Sequence, residues 1–225
     1  MIEINLTLTV RSPLNIGSGA QQGTLAQRGM LKERDGWPFV PATLLKGRLR
    51  HYVEQVASTL SNDVVRNPHD LTIINSNDPV SVLFGTPWQQ SLLIFEDLSL
   101  TGPPALLQWR QEANRSNRLP PRSMQRTSVS INRQRGVAAD QRLFNTELLL
   151  PGTPMAFGGT ICGQLELWQA GLIVAGLRLI PAYGRSKSGG LGWVSVETKV
   201  CNGSEEWTDA MMLAALKEVF REKTV

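Results

Sequence analysis

A short basic segment after a Pro-x-x-Pro entry carries the first side chains that could do chemistry. In "PFVPATLLKGRLRHYV", residues 38–53, the cations are Lys46, Arg48 and Arg50, and His51 follows them directly. Lysine and arginine bind phosphate oxygens through charge-assisted hydrogen bonds, and the same residues also keep a helix surface soluble. The segment is therefore either a site for a polyanion or a solvated helix face.

The positive charge of the chain is concentrated in a second segment, residues 110–142. It holds eight arginines, no lysine and two acids, a net charge of +6, whereas the whole chain carries +4. The arginines are Arg110, Arg115, Arg118, Arg122, Arg126, Arg133, Arg135 and Arg142. Because guanidinium groups contact phosphates in planar, bidentate fashion and stack on bases, this composition favours a nucleic-acid partner. A solvated basic loop is the alternative.

Two glycine-rich loops could bring backbone N–H groups close to an anion. "GRSKSGGLG", residues 184–192, adds Arg185 and Lys187 to its glycines, and "NIGSGAQQG" spans residues 15–23. Glycine allows positive φ and close approach of the backbone to a ligand, and exposed N–H groups form anion-binding concavities. The later loop lacks the Walker A order and precedes a strand, so it is not a P-loop. A plain flexible connection is the alternative for each loop.

Metal and nucleophile chemistry find little support in the sequence. The two histidines and two cysteines show no ligand spacing, and no nucleophile elbow is present. Cys162 and Cys201 lie in apolar runs and are predicted to be buried free thiols, which indicates a cytoplasmic protein. Neither a cofactor nor a membrane span is expected, since no run approaches 18 uninterrupted apolar residues.

Six tryptophans are scattered along the chain, and most are predicted to pack in the core or at an interface. Trp109, at the start of the arginine-rich segment, is the candidate for stacking on a base.

The period of the apolar residues predicts the elements that must position these groups. "EINLTLTV" alternates as a strand, and a helix is predicted from an N-cap at Thr43 to about Ser58. Its apolar stripe is Leu45, Leu49, Tyr52 and Val56, with Lys46, Arg50 and Val53 outside it. The last predicted element is a helix with its N-cap at Thr208.

The chain is predicted to be one domain over residues 1–225. Residues 61–81 are polar with Asn-Pro and Asp-Pro breakers, which indicates a loop insertion. Residues 102–146 form an exposed arginine-rich excursion that includes a hairpin. Strands and helices in this order predict an α+β fold with an antiparallel sheet and helices on one face, as in ferredoxin-like folds.

The order of several motifs resembles the RAMP superfamily of CRISPR-associated proteins. The motifs are "SPLNIGSG", "WPFVPATLLKGRLR", "LFG" with "LLIFEDL", "SINRQRGVAADQRLFNTELLLPGTPMAFGGTI" and "GRSKSGGLGWVSV". They look most like the repeated backbone subunits of type III effector complexes. The resemblance implies an RRM-like palm that grips guide RNA, a β-hairpin thumb that wedges between nucleotides, and copies stacked along the RNA. It also favours a helix over the ambiguous run "QAGLIVAGLRLI".

The resemblance assigns RNA-binding roles by position. Lys46 and Arg50, with Arg48 nearby, resemble the helix residues that hold the guide backbone, and the segment from Ile131 to Phe144 resembles the thumb. The remaining candidates lie in the first loop, the thumb and the late loop: Gly17, Ser18, Gly19, Arg126, Arg133, Arg135, Arg142, Arg185, Lys187, Gly189, Gly190 and Gly192.

One departure concerns catalysis. Target-cleaving members carry an aspartate where this sequence places Gln27 or Arg28, and Asp35 lies further on in a turn. Neither Gln27 nor Arg28 can supply a carboxylate, which favours a binding subunit without nuclease activity. A metal-dependent endoribonuclease that cuts target RNA is one alternative, and an oligomerising module that binds an acidic protein is another. The expected partners are crRNA, complementary target RNA, further copies of this chain and other effector subunits.

Overall fold

A computed structural model describes residues 1–17, 29–34, 37–60, 78–102, 123–150 and 156–222. The elements in chain order are β1 (Ile2–Val10), α1 (Ala42–Leu60), α2 (Pro79–Phe84), β2 (Leu93–Phe95), β3 (Ser99–Thr101), β4 (Ser123–Asn132), β5 (Val137–Leu149), β6 (Ala156–Gly163), α3 (Leu167–Leu179), β7 (Val194–Asn202), β8 (Glu205–Trp207) and α4 (Asp209–Glu222). None of the described helices is both long enough and apolar enough to span a membrane.

The main sheet has the strand order of a ferredoxin-like fold. The order is β2-β6-β1-β7-β8. The short strand β3 also pairs with β6, at residues 156–158, whereas β2 pairs with residues 161–163. All of these pairs are antiparallel. If β2 and β3 are taken as one interrupted strand, the chain runs β-α-β-β-α-β with its first and third strands in the centre. The predicted α+β ferredoxin-like palm with an antiparallel sheet is confirmed.

Alternation along β1 separates a helix-covered face of the sheet from an open face. Its even-numbered residues from Ile2 to Val10 are buried, whereas Glu3, Asn5 and Thr7 are exposed. Across the sheet these exposed residues are paired with Cys162, Thr160 and Gly158 of β6, and with Cys201, Lys199 and Glu197 of β7. At these paired positions of β1, β6 and β7 the open face carries no aromatic side chain, unlike the stacking surface of an RNP-type sheet.

The two cysteines lie on this open face, which corrects the prediction that they are buried. Both are free and half-buried. Each is the cross-strand neighbour of Glu3, on opposite sides of it. Strands are about 4.8 Å apart, so the two thiols sit two strand spacings from each other, too far for a disulfide.

Helix α1 packs on the sheet through a stripe that differs from the predicted one. The buried residues are Leu45, Leu49, Val53 and Ala57, spaced four apart. Val53 was predicted to lie outside the stripe, but it is fully buried because α3 has a glycine opposite it. A Cβ placed on Gly176 would lie 2.5 Å from Val53 Cγ2. The helix that the resemblance favoured for "QAGLIVAGLRLI" is confirmed as α3. Its residues are buried on several sides because α1, α4 and the sheet surround it.

Two helix starts also differ from expectation. Helix α1 begins at Ala42, not after an N-cap at Thr43, and the Ala42 N–H donates to the Asp97 carboxylate at 2.7 Å. A carboxylate from the β2–β3 connection thus caps the helix from outside the segment. Helix α2 begins at Pro79, inside the range predicted as loop, and Asp78 caps it by accepting from two N–H groups. The predicted Thr208 cap is confirmed, since its hydroxyl accepts from Met211 N–H.

Strands β4 and β5 form a separate two-stranded hairpin, the thumb, inserted between β3 and β6. Its turn is closed by Asn132, whose carbonyl accepts from Gly136 N–H at 2.8 Å and whose side chain accepts from Gln134 N–H. At the other end, Leu149 and Leu14 exchange two backbone hydrogen bonds of 2.8 Å. The thumb is therefore joined to the palm at the loop that follows β1.

Candidate nucleic-acid interface

The three cations of α1 point to different parts of the fold. Residues four apart share a side of a helix, whereas residues two apart are about 200° apart around it. Lys46 and Arg50 accordingly lie on the side of α2 and β2, and Arg48 faces the segment around residues 182–187. The structure therefore divides a cluster that is continuous in the sequence.

Arg50 and Lys46 are engaged within the palm. The Arg50 guanidinium pairs with Glu54 at 3.0 Å and donates to the Gly85 carbonyl at 3.1 Å, which ties α1 to the end of α2. Its Nη2 is also buried without a hydrogen-bond partner among the described residues. Lys46 Nζ lies 5.9 Å from the centre of the Phe95 ring. Burial, and then repulsion by Arg50, lowers the pKa of Lys46. Contact of these two cations with RNA stays a prediction.

Arg48 is the centre of a different group, the Arg48 cluster, formed with Tyr52, Tyr183 and Lys187. Its guanidinium lies 5.7 Å from the centre of the Tyr52 ring and donates to the Ala182 carbonyl at 3.4 Å. The pKa of Lys187 is lowered by burial and then by the charge of Arg48. The pKa of Tyr183 is raised by burial, which the charge of Arg48 opposes. Two cations and two phenols therefore lie near one another beside the glycine-rich loop.

Two polar atoms of this cluster are buried without a protein partner. Among the residues that the structure describes, neither Arg48 Nε nor the Tyr183 hydroxyl has a hydrogen-bond partner. An unpaired buried donor costs about 1–3 kcal/mol, and more when it is charged. An incoming phosphate oxygen would satisfy Arg48 Nε and remove that cost, so the cluster is chemically suited to an anion.

The glycine-rich loop is a tight turn, not an open cradle of N–H groups. The N–H groups of Gly189, Gly190 and Leu191 all donate to carbonyls of Ser186 or Lys187, within the loop. The Gly192 N–H donates to the Pro13 carbonyl at 2.8 Å. The predicted role of these glycines as backbone donors therefore does not match the hydrogen bonding, and the loop can offer side chains instead.

The first loop and the late loop lie against each other. Arg185 N–H donates to the Asn15 carbonyl at 2.9 Å, and a Cβ on Gly17 would lie 3.0 Å from Arg185 Cζ. Gly17 thus leaves room for the exposed Arg185 side chain beside the Arg48 cluster. Ser18 and Gly19 were predicted to belong to the same loop and lie outside the described residues.

The thumb carries the other cations. The side chains of Arg126, Arg133, Arg135 and Arg142 are all exposed along the hairpin. A strand of 13 residues such as β5 is about 40 Å long, so the tip is far from the Arg48 cluster. The structure therefore shows a basic group in the palm and a basic thumb, connected at the root of the hairpin. Trp109 and the four arginines from Arg110 to Arg122 lie outside the described residues.

Lys32 and Glu147 fasten that root. Lys32 Nζ is 2.7 Å from Glu147 Oε1, and both side chains are largely buried. The Met30 N–H donates to Glu147 Oε2 at 3.2 Å, and the Asn15 amide donates to the Glu147 carbonyl at 2.6 Å. Glu147 thus holds three segments of the chain together, which fixes where the thumb leaves the palm.

No metal centre is formed by the part of the chain that the structure describes. No group of three or more His, Cys, Asp or Glu side chains there could hold a metal ion. Gln27, Arg28 and Asp35, the positions weighed for a catalytic carboxylate, lie outside the described residues. The described part of the site therefore supports anion binding.

Sequence reasoning missed Tyr183 and Tyr52 as members of the site. The only signal for Tyr183 was its place directly before the glycine-rich loop, in "AYGRSKSGGLG". Tyr52 was assigned to the apolar stripe of α1, although it is only half-buried and lies beside Arg48.

A family model of the RAMP superfamily matches residues 7–195. The chain belongs to the RAMP superfamily. The match runs from within β1 to the start of β7, and so includes most of the palm, the thumb and the glycine-rich loop. The resemblance stated from the sequence motifs is confirmed at this level.

Chains from two solved structures share the fold. One is from a cryo-EM structure of the type III-B Cmr-beta complex in its apo state, at 13% identity and a TM-score of 0.61. The other is from the type III-B Cmr-beta complex bound to cognate target RNA, at 12% identity and a TM-score of 0.61. Each alignment covers 87% of this chain and 96% of the other. A search of curated proteins found no match.

Proposed function

We propose that this protein binds guide RNA as a backbone subunit of a class 1, type III-like CRISPR effector complex in antiviral defence. Several copies would stack along the crRNA, with complementary target RNA and other effector subunits as further partners. The family match and the fold shared with chains of type III-B Cmr-beta complexes support this role. One of those complexes is bound to cognate target RNA.

The Arg48 cluster is the observation that carries the proposal. It brings the half-buried Arg48 guanidinium, whose buried Nε has no partner among the described residues, near Lys187 and Tyr183, at the junction of α1 with the glycine-rich loop. Phosphate contacts of this kind fix the register of a strand without reading its sequence. Binding is therefore expected to be insensitive to the guide sequence, as a subunit that serves many guides requires.

The exposed arginines of the thumb extend the same chemistry away from the palm. Their mutual repulsion in the free protein would be relieved by a polyanion, which favours RNA over an uncharged partner. An acidic protein partner, the alternative named from the sequence, would be attracted by the same charges but would not need the buried Arg48 site. Binding in the cytoplasm, without cleavage by this chain, stays part of the proposal.

Salt dependence of RNA binding tests this function. The purified full chain is titrated with single-stranded RNA at several salt concentrations. Arg48→Gln is expected to weaken binding by about tenfold or more, because it removes a charge-assisted contact. It should also lower the log–log salt slope by about 0.7, the value for one phosphate contact on a single strand. Arg178→Gln is the matched control, because it removes the same kind of charge from an exposed ion pair with Asp209.

A second pair of variants separates the cluster from general charge. Lys187→Gln should weaken binding, whereas Lys217→Gln, on the exposed face of α4, should not. Arg50→Ala is a poor test because it also removes the contact with Gly85 that holds α1 to α2. Equal binding by the Arg48 and Arg178 variants would contradict the assignment of the RNA site.

A further inference from the structure

Trp193 is half exposed at the end of the glycine-rich loop. Its exposed fraction is 51%, although large aromatic side chains are usually mostly buried. Trp37, by comparison, is 2% exposed. An indole left open at a fixed place on the surface is available for contact with a partner.

The backbone of Trp193 is held rigidly. Its carbonyl accepts from Arg11 N–H at 2.8 Å and from Ser12 N–H at 3.3 Å, and its own N–H donates to the Ser12 hydroxyl at 2.8 Å. Three bonds to the end of β1 therefore fix where the indole leaves the chain. A side chain that is positioned before binding loses less entropy on contact with a flat ligand.

Gly192 couples this indole to the cationic loop. Its φ is +76°, and a Cβ there would collide with the Tyr183 carbonyl. The Gly192 carbonyl in turn accepts from Tyr183 N–H at 2.9 Å. The loop that positions Arg185 and Lys187 therefore also determines the position of Trp193.

The strand ends next to Trp193 carry a further positive charge. Arg11 is exposed and donates from Nε to the Ser195 hydroxyl at 3.0 Å. Ser195 is the cross-strand partner of Thr9 on the open face, and alternation places Trp193, two residues earlier, on that same side. Along this side of β7 the first acid is Glu197. An aromatic ring among cations is the usual surface for a single nucleic-acid strand, where phosphates pair with cations and bases stack on the ring.

We infer that Trp193 is a stacking platform for a nucleobase of the RNA strand that the Arg48 cluster holds by its phosphates. The inference rests on the proposed function. It adds a contact with a base to the phosphate contacts already proposed. Because the face of every base is a π surface, such stacking keeps the binding tolerant of sequence. An exposed protein-docking tryptophan is the rival, and the experiment distinguishes the two.

The experiment compares oligoadenylate with inorganic polyphosphate, which offers phosphates without bases. Trp193→Ala should weaken oligoadenylate binding by about 5- to 150-fold and leave polyphosphate binding unchanged. Lys187→Gln should weaken both. Trp88→Ala is the control, because Trp88 is similarly exposed, at 59%. Trp88 precedes β2, which begins at the end of the sheet where Ile2 lies. Trp193 lies at the opposite end, near Val10.

Fluorescence gives a readout that does not depend on Trp193→Ala folding normally. Oligoadenylate should quench the emission of the wild-type chain and of Trp88→Phe, and this quenching should be largely lost in Trp193→Phe. If the wild-type chain binds neither ligand, the proposed function fails together with the inference. If the wild-type chain binds RNA and Trp193→Ala binds it equally well, or loses both ligands alike, only the inference is overturned.

Discussion

Replacing Tyr183 by phenylalanine removes a single buried hydroxyl group. The side chain is fully buried, and within the described part of the chain its hydroxyl has no hydrogen-bond partner. A buried unsatisfied polar group costs about 1–3 kcal/mol, so Tyr183→Phe is expected to raise the free energy of unfolding by about 1 kcal/mol. For a chain of this size, that is an increase in Tm of about 2–4 °C.

The same substitution should change the response to alkaline pH. Burial raises the pKa of Tyr183 above its ordinary value, so the folded state retains a proton that the unfolded state loses near pH 10. The stability that Tyr183 contributes is therefore fully present below about pH 10 and is lost as the pH rises toward the folded value, by up to about 1.4 kcal/mol per pH unit. The phenylalanine variant lacks this loss.

Urea unfolding between about pH 8 and about pH 11 measures both effects, because the unperturbed tyrosine pKa of about 10 lies within that range. Titration of the lysines is common to both proteins and cancels in the difference between wild type and variant. Tyr52→Phe, the same change at the half-buried second tyrosine, is the control. A Tyr183→Phe variant that is less stable than wild type by about 1 kcal/mol would refute the reasoning, since the hydroxyl would then be bonded in solution.

Two further predictions concern packing and the root of the thumb. Gly176→Ala should destabilise the protein by about 1–3 kcal/mol, since its Cβ would meet Val53. Gly47→Ala is the control: it has open space around it and should be neutral or stabilising by up to about 1 kcal/mol. Equal urea midpoints for the two variants would contradict the close packing of α1 and α3. Glu147→Gln should leave the Lys32 charge without its partner and lower the unfolding free energy by about 3 kcal/mol. Limited proteolysis should then cut near the base of the hairpin faster than in wild type, and an unchanged cleavage rate would refute its role as a fastening.

Much of the fold could be predicted because its signals are local. The strand β1 and the helix α1 each follow from a side-chain period within one element, and both elements lie close to the expected residues, although the buried stripe of α1 differs from the predicted one. The cap at Thr208 is equally local, since it involves a residue three positions away. The excess of arginine also marked the thumb correctly as an exposed segment.

The features that were predicted wrongly depend on residues distant in sequence. Val53 is buried only because Gly176 makes room on another helix, and α1 begins at Ala42 because Asp97 reaches its N-terminus. Cys162 and Cys201 lie in apolar runs, but both are paired with the exposed Glu3, so their side chains lie on the open face of the sheet. No pattern within a single segment contains this information.

The candidate site shows the same division. The sequence alone supplied the types of group that could hold RNA: the cations of α1, the arginines of the thumb and two glycine-rich loops. Tertiary structure decided which of them meet. It directed Arg50 into a contact with Gly85 and placed Arg48 near Tyr183, with an Nε that has no partner in the described part of the chain. It also paired the N–H groups of Gly189, Gly190 and Leu191 with carbonyls of the late loop, and it left the Trp193 side chain exposed. The physical reason is that charge and backbone freedom are properties of a residue, whereas an unpaired donor or an open ring depends on every neighbour that the fold brings to it.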